Sequence, residues 1–257
     1  MRAIERLFAS VGRSQATRPA AEPPRTILLG AEASDQRLAE LARKSGLSEY
    51  RYLHFATHGL IDEEHPARSC LILSRIDLPD PLQAVLAGRP VYDGRLTVQR
   101  MANEWKLNAD LVTLSACETG LGTEGGGEGF VGFAQVLLFR GARSVVLSLW
   151  KADDTATMLL MTRFYEDLLG AFEKPRSVAG QTYRAGQAMP KAAALREARL
   201  WLRDLTQAER AEALRALPRG NIRGQVSPAL PVADPSGDRP YAHPHFWGAF
   251  ILVGDPE

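Results

Sequence analysis

The sequence predicts an α/β fold, with a mostly parallel central sheet and helices on both of its faces. Three observations carry that prediction. "ADLVTLSA" and "ARSVVLSLW" are continuous apolar runs, as strands covered on both faces require. Between them lies "GEGFVGFAQVLLFRGA", a helical stretch closing at Gly141, and strand–helix–strand order makes parallel neighbours. The chain has 257 residues, 45% of them hydrophobic and 24% charged, enough for one large buried core.

The other elements follow in order. Residues 1–25 read as a short amphipathic turn and then a flexible Pro/Ala/Arg-rich linker. "TILLG" reads as a short buried strand, and "SDQRLAELARKSG" as a helix with a Ser/Asp start and a Gly stop. "YRYLHFAT" and "SCLILS" are rich in strand formers, and the threonine of "LTVQRMANEW" suits a helix cap. "DDTATMLLMTRFYEDLLG" reads as a helix started by Asp or Thr and closed by Gly. "KAAALREARLWLRDL" and "QAERAEALRAL" add two more helices, and "HFWGAFILVG" a final strand. The organisation is a flexible segment, 1–25, and one domain, 26–257. The domain carries extra sequence at about 171–190, where a short connection is usual, and a Pro/Gly-rich loop at about 218–240.

A formal net charge of +1 gives no reason to expect nucleic acid or an anionic membrane as partner. No apolar run is long enough to span a bilayer, and the opening residues lack the apolar stretch of a signal peptide. The two cysteines make no disulfide framework, so a reducing, cytoplasmic setting and free thiols are expected.

One of those cysteines, Cys117, ends an apolar run just before the glycine-rich "GTEGGGEG". Loops at the carboxyl ends of strands are where open α/β sheets build their sites. His58, in "YLHFATHG", ends another predicted strand. If those strands are neighbours, imidazole and thiol share a rim, and such a pair suits nucleophilic attack on a carbonyl. The backbone N–H groups of Gly59 and Cys117 would hold the developing oxyanion. The residues alone leave a second reading open: free cysteine is among the most buried residue types, and strand-end histidines are commonly structural.

"YRYLHFATHG", "LVTLSACETGLG", "GEGFVGFAQVLLFRGARSVVLSLWKADD" and "HPHFWGAFILVG" resemble, in order, the hallmark segments of CHAT domains. The likeness covers residues 26–74, 91–170 and the final strand. It implies a caspase-like three-layer fold, related to the separases, and a cysteine endopeptidase that needs no metal or cofactor. It also implies that His58 is the catalytic histidine and Cys117 the nucleophile. A protein substrate and a regulatory partner are further implications. CHAT domains often follow helical repeats, and a missing N-terminal repeat region is an expectation here. The fold alternatively serves a catalytically weak interaction or signalling module, and the same dyad serves a thiol acyltransferase.

"KADDTAT" is similar to the separase segment that supplies an acidic residue to the pocket for a basic P1 side chain. The likeness points to Asp154, with Asp153 adjacent, while a helix cap explains either carboxylate as well. Trp150 suits the core or the mouth of that pocket. His54 shares a strand face with His58 and reads as structural filler. Cys70, Cys117, His58, His65, His243 and His245 lack the tight spacing of a zinc site. "TEGGGEG" lacks the Gly-Lys-Ser/Thr ending of a phosphate loop, and Glu124 and Glu128 would repel phosphate.

Overall fold

The computed structural model describes residues 1–14, 25–44, 46–118, 128–217 and 237–257; of 11–14, 44, 116–118 and 128–131 it describes the backbone alone. Its helices are α1 (Arg2–Ser14), α2 (Asp35–Lys44), α3 (Pro81–Leu86), α4 (Val98–Glu104), α5 (Glu128–Phe139), α6 (Asp154–Leu169), α7 (Lys191–Asp204), α8 (Gln207–Ala216) and α9 (Pro244–Trp247). Its strands are β1 (Tyr52–Leu60), β2 (Cys70–Ile72), β3 (Arg95–Thr97), β4 (Leu111–Glu118), β5 (Ser144–Ser148), β6 (Arg176–Val178), β7 (Gln181–Tyr183) and β8 (Phe250–Gly254). The architecture is α/β: a central sheet in the order β3-β2-β1-β4-β5-β8, flanked by helices in the manner of the caspase-like three-layer fold. The chain divides into two compact units.

The first unit is Pro23–Lys151 with Val253–Asp255. Parallel pairing occupies its centre, where β4 lies between β1 and β5. β2 and β3 extend the sheet antiparallel. Leu111, Val112, Thr113 and Leu114 are all buried, the burial that a covered central strand produces. Phe55 stacks on Trp105 at 5.8 Å between ring centroids, and the Arg140 guanidinium donates to the Trp105 carbonyl. Thr97 caps α4, its hydroxyl accepting the Arg100 N–H at 3.1 Å. The buried Asp35 carboxylate accepts from Arg100 and from the Asp93 N–H, both at 3.2 Å, so its charge is partnered rather than stranded.

"TILLG" is not a strand. Ile27 and Leu29 are exposed, and among the described residues the segment pairs with no strand; the residues after it make an isolated parallel bridge, Ser34 to Ser74. Apolar side chains do not make a strand without a ladder to join.

The second unit is Met1–Glu22, Ala152–Leu252 and Pro256–Glu257. Residues 2–14, within the segment read as flexible, form α1. Ile4 is buried, and Phe8 meets Tyr165 of α6 edge-on at 5.6 Å. Within α7, Ala194, Leu195, Ala198 and Leu202 are buried, the apolar stripe that its helical spacing sets. Thr206 and Glu209 form a capping box at the start of α8. The stretch 171–190 contains a hairpin, β6 and β7, joined through Ala179 and Gly180. "HFWGAFILVG" starts as helix rather than strand: Pro244 enters α9 at its first turn, and β8 begins only at Phe250.

Candidate active site

β1 and β4 are parallel neighbours from Tyr52↔Leu111 to Gly59↔Glu118, and in that register His58 stands directly opposite Cys117. Adjacent strands lie about 4.8 Å apart, and opposed residues fall on one face of the sheet. Both positions are near the carboxyl ends of their strands, where a parallel sheet opens into its loops. His58 is exposed. On its other side it pairs with Ile72 of β2, and the Thr57 hydroxyl donates to the Ile72 carbonyl. That bond ties β1 to β2 at the position of the histidine. The residues around Thr57 do not announce this bond, because its acceptor lies fifteen residues further along the chain.

Gly59 is buried between Leu71 and Glu118 in the register. His54 lies opposite Thr113, on the same face as His58. Desolvation of its ring pushes the His54 pKa down to about 3, so the imidazole stays neutral at ordinary pH. The glycine-rich loop 119–127, with Glu124, lies outside the described residues; α5 begins at Glu128.

The acidic candidates divide. Asp153 is the N-cap of α6, its carboxylate accepting the Ala156 N–H at 2.8 Å, and Asp154 is the first residue of that helix. Trp150 is half-buried, and its carbonyl accepts from the Ser148 hydroxyl at 2.5 Å. Among the described residues no three His, Cys, Asp or Glu side chains group as a metal site. His243 is instead used locally, its Nδ1 accepting the His245 N–H at 3.2 Å as the cap of α9. No helix among the described residues is long and apolar enough to cross a membrane.

A caspase-like α/β sheet, with a histidine and a cysteine in register at its carboxyl rim, defines the class. Within it, residues 1–255 match the CHAT domain family, so the chain belongs to that family. CHAT domains are linked to the caspase-like cysteine peptidases. No curated protein matches the chain.

Proposed function

We propose that the chain is a cysteine endopeptidase whose dyad is His58 and Cys117. The observation that supports this reading is their shared register on adjacent parallel strands. The Cys117 thiolate attacks the carbonyl carbon of the scissile peptide, and the N–H groups of Gly59 and Cys117 stabilise the resulting oxyanion. Collapse of that intermediate breaks the C–N bond as His58 gives a proton to the leaving amine, leaving a thioester on Cys117. Water, deprotonated by His58, then hydrolyses the thioester and frees the thiol. The substrate is a protein segment, and a regulatory partner governs its access. Since the Asp153 carboxylate already caps α6, any selection for a basic P1 residue falls to Asp154.

The test uses wild type, Cys117→Ala and His58→Ala, each with an acyloxymethyl ketone probe and a broad peptide library. Wild-type labelling at Cys117, with cleavage reduced by about a thousandfold or more in either variant, supports the dyad. Absence of labelling and cleavage in folded wild type overturns it. Transfer of the acyl group to an added amine, in preference to water, would make the chain an acyltransferase.

A further inference from the structure

The connection from β2 to β3 carries an apolar surface that the proposed chemistry does not use. Its base is closed by the Leu73 N–H, which donates to the Gly94 carbonyl at 2.8 Å. Beyond that closure stands α3, six residues long. Pro81 begins it, and the Asp80 carboxylate caps it by accepting the Gln83 N–H at 2.9 Å. The Arg89 N–H donates to the Ala84 carbonyl at 2.8 Å and turns the chain back toward β3. Cap and turn fix both ends of the helix, but Ala84 is its one buried residue.

Leu82, Val85 and Leu86 follow the i, i+3, i+4 spacing of one helix face, and they are 68%, 62% and 79% exposed. At 3.6 residues per turn, Ala84 falls on the opposite face. Ile76 and Val91, on the two legs of the same connection, are exposed as well. Single exposed leucines are ordinary, but five large apolar side chains in one connection are not. Together they expose roughly 500–600 Å² to water, the upper end of what a typical monomer carries. A helix this short has no stability of its own in water, and one buried alanine adds little. The surface calls for a cover.

The charges at its edges indicate the occupant. Asp77 and Asp80 precede the helix and Arg89 follows it, all three exposed. Among the described residues, neither Asp77 nor Arg89 makes an ion pair. Arg75 is laid against Gly94 at the base of the connection. Along α3 the surface therefore runs from acid, through an apolar centre, to base. A second copy turned about a two-fold axis presents the same order in reverse, so apolar face meets apolar face and acid meets base at both ends. A parallel approach would set like charges together. The size fits too: the apolar centre with its exposed rim of Asp77, Asp80, Gln83 and Arg89 comes to the roughly 800 Å² per partner of a stable interface.

We propose that α3 and its two flanks are a dimerisation surface, on which a second copy of this chain docks antiparallel about a two-fold axis. None of these residues belongs to the proposed dyad, so the two readings stand or fall separately.

The test is sedimentation of the full chain from about 1 to about 100 µM, for wild type, Leu86→Asp and Arg89→Asp. Wild type should dimerise within that range. Each substitution enters a two-fold interface twice, so Leu86→Asp should raise Kd by roughly a hundredfold or more, and Arg89→Asp by roughly tenfold. High salt should narrow the gap between Arg89→Asp and wild type, since it screens acid facing acid. The unfolding midpoint, measured where wild type is monomeric, should not move, because both positions are exposed. A wild type still monomeric at about 100 µM overturns the proposal and leaves the surface to a different chain. A dimer that survives either substitution unchanged overturns it as well, by placing the contact elsewhere or in another orientation. If Leu86→Asp fails to fold, Arg89→Asp decides alone.

Discussion

Asp153 accepts the backbone N–H of Ala156 at 2.8 Å, and its own carbonyl accepts from Thr157 at the same distance, so one residue closes the first turn of α6 twice. A carboxylate committed in this way is a poor candidate for binding a substrate cation. Asp153→Ala should lower stability by about 1 kcal/mol, and Asp153→Asn by only a few tenths, because either oxygen serves as a cap. Urea denaturation checks both. A change of P1 preference in Asp153→Asn, at unchanged stability, would show that capping is not its whole role.

The turn of the β6–β7 hairpin is unusual in its first residue. Ala179 and Gly180 have φ of 52° and 80°, the mirror-image two-residue turn whose first position favours Asn. Alanine is strained there, and the flanking pair Val178↔Gln181 fixes the register. Ala179→Asn should stabilise the chain by about 0.5–1 kcal/mol, read as a shift of the denaturation midpoint at unchanged m-value. Gly180→Ala should move the midpoint the other way.

Much of this was legible in residues with regular consequences. The apolar runs at 111–114 and 144–148 required covered strands, and the order strand–helix–strand made them parallel. Sequence placed His58 and Cys117 at strand ends, but only the register shows them opposite each other, because pairing is a property of two segments and is written in neither. "TILLG" misled for the same reason: its composition suits a strand, yet it has no ladder to join. The burial of Asp167 and Glu197 was invisible because each looks like an ordinary solvated helix charge. It arises only when α6 and α7 meet.

Gly141 turns the end of α5 into β5 with φ of +108°, and a Cβ there would stand 2.3 Å from the Leu107 carbonyl oxygen. Its neighbours in this crossing are tied down: the Leu107 N–H to the Arg140 carbonyl, and the Arg143 N–H to the Ala109 carbonyl, both at 2.8 Å. Neither backbone can retreat without breaking a bond next to β4 and β5. Gly141→Ala should cost about 2–4 kcal/mol through strain and displacement together. A variant within about 0.5 kcal/mol of wild type in chemical denaturation would show that the turn relaxes freely.

His54 gives the stability of the chain a pH dependence of its own. Its pKa falls from an ordinary 6.5 to about 3 in the folded chain, because burial disfavours the charged ring. The unfolded chain therefore binds a proton near neutrality that the folded chain refuses. The stabilising difference is complete above pH 6.5 and is lost as pH falls toward about 3, with a slope of about 1.4 kcal/mol per pH unit for one proton. Asp167 pulls the other way, its contribution declining as pH rises from 3.8 through about 8, so the two overlap in mild acid and partly cancel in a wild-type profile. The informative quantity is the difference between wild type and His54→Gln, taken from stability measured at matched pH values. Removing the titrating ring should steepen the decline of stability with rising pH below 6.5 by one proton and leave the slope above 7.5 unchanged. An identical slope in both proteins below 6.5 would mean that His54 takes up its proton in the folded state, and that water reaches this face of β1 beneath His58.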